Sequence, residues 1–403
     1  MDHAATTALC TEARAAMEPF MAPAGASLSR FGNPSGAHAV ARDALRALDE
    51  AREQVAVVLG CRPGEVVFTS GGTEADNLAV TGGMPPRAGV VVCSAVEHPA
   101  VLETTRALGG EVVAVDRTGR IDLDALETTL LRVAAGVTTA TVNGSYRSSE
   151  PPVSVVSVMT ANNELGTLND IEAVAEVVRR CAPGTPLHTD AVQAAAWLDL
   201  AVVTASADLV SVSAHKVGGP KGVGALVVRD GTPLVPLMHG GGQERKRRGG
   251  THNVAGIVGF AAALSVTAVD RAERVRRVAA LRDDLAARLT DLAGVAATLA
   301  DTRPAVLPGH LHLLVDDVVG EELLLLLEQH GVCASAASSC ASGAIGGSHV
   351  VQAIGVDDPS KAPLRLSLGV DTTPADVDAT VAAMEASLLR ARGARAGLHG
   401  GAT

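Results

Sequence analysis

Short apolar runs recur along the first two thirds of the chain, each followed by a polar or glycine-rich turn and a stretch with helical spacing. Glu65–Ser70, Gly89–Ser94, Glu111–Val115, Val153–Met159, the run before Asp190, residues 207–213 and Gly222–Arg229 read as strands. Between them, residues 38–58 place Ala41, Leu45, Leu48 and Val55 at helical intervals, and 170–181 form a second helix. A further helix opens at Gly71-Gly-Thr73-Glu-Ala-Asp-Asn77, and 111–133 carry a strand and then a helix. Strands alternating with helices predict an α/β fold with a mostly parallel, doubly wound sheet. From about 254 to 294 the spacing predicts a long helix broken once. Beyond it lie strands near 311–315, 332–336 and 363–368, with helices near 320–330 and 374–391. The pattern divides the chain into a large domain, 15–255, and a smaller α+β domain built from 1–14 and 256–403.

A chain of 403 residues is long enough for two domains and a large core. No run approaches the roughly 20 apolar residues of a membrane span, and the start lacks a basic region followed by an apolar one. The six cysteines are scattered, which predicts reduced thiols and a cytoplasmic setting. A net charge of −11 argues against general nucleic-acid binding. With one Trp, one Tyr and four Phe, a bound ring must stack on another side chain, and histidine is the available substitute.

The candidate chemistry sits at the ends of the predicted strands. In Ser211-Val-Ser213-Ala-His215-Lys216 a lysine follows a serine and a histidine and precedes a glycine-rich turn. A lysine amine of pKa about 10.4 becomes a nucleophile only when burial or neighbours hold it neutral. Only 26 positions upstream, His188-Thr-Asp190-Ala-Val-Gln193 supplies an acid and an amide. A lysine for an aldehyde and an acid for a pyridinium nitrogen are the two handles that pyridoxal phosphate needs. The turn at Gly71-Gly72-Thr73 opens a helix, where free N–H groups favour an anion. His98 and Asn163 follow two other strands at the edge where α/β sheets place ligands. The glycine-rich, basic run 239–253 reads either as a solvated loop or as an anion-binding one.

Taken in order, these segments resemble the cysteine desulfurases, pyridoxal-phosphate enzymes of the aspartate-aminotransferase fold (fold type I). The resemblance runs from Met1 to about Arg390 and rests on eight motifs. They are Asp-His-Ala-Ala-Thr-Thr, Thr-Ser-Gly-Gly-Thr-Glu-Ala-Asp-Asn, Glu-His-Pro-Ala-Val and Ala-Asn-Asn-Glu-Leu-Gly in the first half. His-Thr-Asp-Ala-Val-Gln, Ser-Ala-His-Lys, Gly-Gly-Gly-Gln-Glu-Arg and Ser-Ser-Cys340-Ala-Ser-Gly complete the set. It implies a seven-stranded large-domain sheet. It also implies that Lys216 holds the cofactor as a Schiff base and moves the α-proton, that Asp190 pairs with the ring nitrogen, and that Gln193 bonds the ring's phenolic oxygen. His98 would stack on the ring and serve in proton transfer. Thr73, Ser213 and His215 would hold the phosphate, helped by backbone near Gly72, and Thr251 would reach the phosphate of a second subunit in a homodimer. Asn163, also close to the cofactor, would clamp the substrate carboxylate together with Arg365, whose fork suits a planar anion. Cys340 would take sulfur from L-cysteine as a persulfide, leaving alanine, and pass it to an acceptor protein. No resident metal is implied; a transient iron–sulfur cluster would make contact at Cys340.

The small residues around Cys340 predict a mobile loop, whereas Cys333 fits a strand pattern and the core. The sequence departs from the family at Ala336-Ala-Ser-Ser-Cys340, at Gly250-Thr-His252-Asn253, in the heavy basic run Arg245-Lys-Arg-Arg248, and in a polar insertion at 134–152. The acceptor stays open among an iron–sulfur scaffold, a tRNA-thiolation protein and a carrier for a specialised metabolite. A selenocysteine lyase or another carbon–sulfur lyase of the same fold is the alternative enzyme, an aminotransferase a further one, and a non-catalytic sulfur-relay scaffold the alternative from another class.

Overall fold

The computed structural model describes residues 1–23, 30–82, 89–137, 153–300, 302, 304–336, 348–356, 358 and 360–400, with backbone alone for 394–400. Cys340 and most of the 134–152 insertion lie outside the described residues.

The first two helices, α1 (Thr11–Met21) and α2 (Ala39–Val58), begin where Cys10 Sγ and His38 Nδ1 accept the N–H groups of Ala13 and Ala41. Ala41, Ala44, Leu48, Ala51 and Val55 form the inward face of α2. Leu45, expected on that face, is 41% exposed because it lies beside the stripe. Then follow β1 (Val66–Thr69), α3 (Gly72–Gly82), β2 (Val90–Ser94), α4 (Pro99–Ala107), β3 (Glu111–Val113) and α5 (Leu123–Ala134). The alternation continues through β4 (Val153–Ser157), α6 (Ile171–Cys181), β5 (Leu187–Asp190), the short α7 (Leu200–Val203), β6 (Leu209–Ser213) and β7 (Gly224–Val228).

These strands make one seven-stranded sheet in the order β1-β7-β6-β5-β4-β2-β3. Only β7 runs against its neighbours, so the other six strands share one direction. Strands β1, β2, β4, β5, β6 and β7 are buried at every position, as in a sheet covered on both faces. The expected fold class is the observed one.

Helices α8 (Val254–Ala268) and α9 (Arg271–Thr290) are the long helix, broken at Asp270 (φ 54°) with a bend of 77°. No single helix among the described residues is long and apolar enough to cross a membrane. A second, antiparallel sheet has the order β10-β9-β8, from β8 (Val295–Ala297), β9 (His310–Asp316) and, after α10 (Gly320–Gln329) and α11 (His349–Ala353), β10 (Lys361–Ser367). The closing helix is α12 (Pro374–Gly400).

Two expectations fail here. Residues 332–336 are not a strand: Ser335 makes a single bridge to Arg365, and Cys333 is exposed rather than part of the core. The third strand of that sheet is instead β8, whose three residues are too few to show an alternation.

One buried ion pair ties the loop after β7 back to the sheet. Arg52 forks onto Glu244 at 2.7 and 2.8 Å and also reaches Val66 O at 2.7 Å. Glu244 accepts a further hydrogen bond from Phe68 N–H at 3.0 Å and faces His252 Nε2 at 2.9 Å. Around it, Glu244, Arg245 and Lys246 all have left-handed φ values (46°, 56° and 65°), a strain that persists only where surrounding bonds hold it. Burial pushes the Glu244 carboxyl up. The hydrogen bonds from His252, Arg52 and Phe68 and the charge of Arg52 outweigh this and hold it at about 2. We expect Glu244→Gln to lower the free energy of unfolding at pH 7 by about 3 kcal/mol. The carboxylate contributes fully above its unfolded pKa of about 4.3 and is lost as pH falls through the folded value, so the gap should close toward pH 2. Urea unfolding of both proteins across pH 2–7 checks this.

Candidate active site

Gly72, Thr73, His98, Asn163, Asp190, Gln193, Ser213, His215 and Lys216 lie at or just beyond one edge of the large sheet, where β1, β2, β4, β5 and β6 end. After β1, the chain turns through Gly71 into α3. A Cβ on Gly224, opposite in β7, would come within 2.6 Å of Val212 O and 2.8 Å of Gly71 C. Glycine there lets the turn lie flat on the sheet. A Cβ on Gly72 would meet Val192 at 3.0 Å and Ser213 Cβ at 3.5 Å, so Gly72, Thr73 and Ser213 are neighbours at the N-terminus of an 11-residue helix. Free N–H groups beside two hydroxyls form a cradle suited to a phosphate.

After β2, His98 caps α4: its Nδ1 accepts the Ala100 N–H at 3.1 Å. The neutral ring therefore carries its proton on Nε2. Burial, then the nearby charges of Lys216 and His349, push its pKa down to about 4. After β6, Lys216 Nζ donates to the carbonyls of Ala4 (2.5 Å) and Ala5 (2.9 Å). Gln193 Nε2 donates to the same Ala4 oxygen at 2.9 Å. His215 stands beside Lys216, its Nδ1 3.2 Å from Thr6 Oγ1, and burial with the charges of Lys216 and Lys221 lowers its pKa to about 4.

Asp190 closes β5 and accepts the Val192 N–H at 2.8 Å. Burial pushes it up to about 6, against that hydrogen bond and the charge of Lys216. A carboxylate so placed gains from a cationic N–H such as a protonated ring nitrogen. Beneath it runs a buried polar chain that the motifs did not identify. Ser157 Oγ meets His188 Nδ1 at 2.8 Å, His188 Nε2 meets Ser211 Oγ at 2.9 Å, and Ser211 bonds Asp76 on α3. Ser211 pairs with Asp190 in the β5–β6 register. Burial raises Asp76 well above the usual carboxylate range and lowers His188 to about 3, so their 3.7 Å approach is a contact of neutral groups rather than an ion pair. The signal was available in part: His188 and Ser211 stand two residues before Asp190 and Ser213, hence on the same faces, and Asp76 is one helical turn beyond Gly72.

Arg365, in the middle of β10, is 3% exposed. Its Nη1 donates to Asn163 O and its Nη2 to Asp2 Oδ1, both at 2.9 Å. Thr251 is not brought to Lys216. It is exposed beside Ser70, Arg248 and His252, in the loop that Glu244 anchors. A separate cavity is lined by Lys216, Gln193, His3, Ala4, His310 and Arg274; Thr73, His98 and Asp190 do not border it. Among the described residues no cluster of His, Cys, Asp and Glu could hold a metal.

With this geometry in place, the family model for class-V aminotransferases matches residues 1–147 and 139–380. The chain belongs to that family. It is 40% identical to an IscS-like cysteine desulfurase of Mycobacterium tuberculosis, covering 97% of this chain and 96% of that one. It is 36% identical to the cysteine desulfurase IscS of Dictyoglomus turgidum, over 96% and 93%. Among solved structures, a NifS-like protein superposes with a TM-score of 0.82 at 33% identity, over 96% of this chain and 98% of that one. SspA, determined in complex with cysteine, gives 0.72 at 30%, over 91% and 97%. Within the family, it is among the cysteine desulfurases, which are sulfurtransferases, that this chain stands.

His98 should remain neutral, with its proton on Nε2, from pH 8 down to about 5, because its folded pKa lies near 4. Nitrogen-15 NMR of the histidine rings checks this, and a midpoint above 6 for His98 would contradict it.

Proposed function

We propose that the chain is a homodimeric, pyridoxal-phosphate-dependent L-cysteine desulfurase that carries the released sulfur on Cys340. The observation that carries the reading is the meeting of Lys216 and Gln193 on the Ala4 carbonyl at the sheet edge that also ends in Asp190. The residues fit the cofactor: the Gly72–Thr73–Ser213 cradle suits its phosphate and buried Asp190 suits its ring nitrogen, with His98 and Gln193 at hand for the ring face and phenolic oxygen. When bound, pyridoxal phosphate supplies the electron sink that makes the substrate's α-proton acidic and takes up the pair released on C–S cleavage.

The chain's own groups do the rest. Arg365 and Asn163 orient the substrate carboxylate, and the Lys216 amine moves the proton at the α-carbon. His98 holds a proton on Nε2 at neutral pH and serves in proton transfer as the C–S bond breaks. Cys340 Sγ, as thiolate, bonds to the substrate sulfur while the Cβ–S bond breaks, and Cβ gains a proton. Cysteine and a thiol thus become alanine and a persulfide, with no external oxidant or reductant.

Thr251 serves a second subunit in this reading. Its exposure, on a loop pinned by the buried Arg52–Glu244 pair, supports that role. The division into a large domain (15–255) and a small one (1–14 with 256–403) belongs to the same proposal, supported by the bridge from Asp2 to Ser367 of the second sheet. The persulfide passes to an acceptor protein in the cytoplasm, a setting that the five described free thiols favour.

The test is alanine and sulfide release from L-cysteine with a reductant present. Wild type should form both, and Cys340→Ala neither. Full activity in Cys340→Ala would replace this reading with that of a lyase. Lys216→Ala should lose on the order of 10³-fold or more in alanine formation, and borohydride followed by mass spectrometry should no longer attach the cofactor to the chain.

A further inference from the structure

Behind the phosphate cradle and Asp190 runs the chain of buried polar side chains to which the reaction gives no part. Asp76, Ser211, His188 and Ser157 are each at most 1% exposed. They join α3, β6, β5 and β4 in turn: Asp76 bonds Ser211, Ser211 Oγ meets His188 Nε2 at 2.9 Å, and His188 Nδ1 meets Ser157 Oγ at 2.8 Å. Three of these residues stand one step behind a residue of the cofactor site. Asp76 is one helical turn after Thr73, Ser211 is two residues before Ser213, and His188 is two residues before Asp190. Ser211 also pairs directly with Asp190 in the β5–β6 register. The chain thus ties the cradle at Thr73 and Ser213 to the acid suited to the ring nitrogen.

Polar groups at this depth are costly unless paired, and a paired network fixes the spacing of the elements that carry it. Asp76 ends the chain. Its Oδ1 has no hydrogen-bond partner among the described residues, and His188 Nε2 stands 3.7 Å from it. Burial, then the charge of Asp190, raises its pKa well above the usual carboxylate range, with Glu97 adding to the effect and Ser211 opposing it. A neutral carboxyl can donate to Ser211, Ser211 to His188 Nε2, and His188 Nδ1–H to Ser157, so that each link holds one proton. It also places no second anion beside Asp190, whose own charge is the one a protonated ring nitrogen needs.

We propose that Asp76 is a positioning residue for the cofactor: through Ser211 and His188 it fixes the distance between the phosphate cradle and Asp190, and it does so without carrying charge. Phosphate and ring nitrogen are then engaged together by two parts of the chain held at one spacing. This rests on the reading of the cradle and Asp190 as a pyridoxal-phosphate site.

The test reloads the whole chain, stripped of cofactor, and compares wild type, Asp76→Ala, Asp76→Asn and Ser211→Ala. The readouts are the Kd of pyridoxal phosphate, the affinity of inorganic phosphate measured by competition with it, and the pH midpoint of the bound cofactor's absorbance. Asp76→Ala should weaken pyridoxal phosphate on the order of 10- to 100-fold, while inorganic phosphate, which engages one end alone, stays within about twofold. The midpoint should rise by about one unit or more, because a ring nitrogen not held by Asp190 loses its proton and with it the positive charge that keeps the Lys216 linkage acidic. Asp76→Asn, neutral and with both a donor and an acceptor, should match wild type in all three. Unchanged cofactor affinity in Asp76→Ala overturns the proposal, and so does an equal weakening of cofactor and inorganic phosphate, which would mean that Asp76 merely supports the cradle. A midpoint shifted in Asp76→Asn overturns it as well, since Asp76 would then be charged in the wild type. Ser211→Ala breaks the next link and should show the same split, so wild-type cofactor affinity there overturns the proposal even where Asp76→Ala does not fold. A wild type that binds no pyridoxal phosphate instead removes the cofactor reading beneath it.

Discussion

The first ten residues form a strap on which the site depends. Asp2 bridges Ser367 and takes the Arg365 guanidinium, and Ala4 N–H donates to Ser367 Oγ, which joins the strap to the second sheet. Farther on, Thr7 N–H donates to His215 O and Cys10 N–H to Gly218 O, which joins it to the turn after β6. The strap's backbone thus connects the carboxylate clamp to the lysine turn. Its carbonyls at Ala4 and Ala5 are also the acceptors for Lys216 and Gln193. A main-chain carbonyl suits an amine that must later bond elsewhere. It orients the group by a hydrogen bond without adding a second charge.

Burial then sets the charges around that lysine. Asp76, Asp190, Glu97 and Glu164 are all raised, and His98, His188 and His215 are all lowered, because the sheet edge removes water from both kinds of group. What distinguishes Asp190 from Asp76 is the company each keeps. Asp190 has a backbone N–H and the nearby charge of Lys216 to favour its anion, whereas Asp76 has the Ser211 hydroxyl and two other acids. The two carboxyls, one on α3 and one on β5, are thus driven apart, leaving Asp190 as the one closer to carrying charge at neutral pH.

Much of this was legible beforehand, and the failures have physical causes. Fully buried strands with apolar runs, glycine turns and an amphipathic α2 left clear traces, so the sheet and its ligand edge could be drawn from spacing. Cys333 looked like core because its neighbours are apolar, yet only one bridge forms there and the thiol faces out. The strand β8 was too short to read. Asp76, His188, Ser211 and Glu164 were hidden because a buried polar side chain has meaning only once its partner, distant in sequence, is known. Ser348 and Glu164 are 184 positions apart.

The Glu244 hub shows how backbone strain can serve a loop rather than weaken it. Three consecutive left-handed residues are unfavourable for side-chain-bearing amino acids, and glycine would relieve them. The chain instead places there the one carboxylate that satisfies Arg52, Phe68 N–H and His252 together. The ion pair holds the conformation, and the conformation in turn directs the chain outward to Arg248, which pairs with Glu74, and on to Thr251. Glu74 belongs to the first turn of α3, the helix whose N-terminus forms the phosphate cradle. A loop fixed to that turn by one ion pair, to α2 by another and to β1 by the Phe68 N–H cannot shift without disturbing the cradle, so the exposed Thr251 is held in a defined relation to a site it does not itself enter.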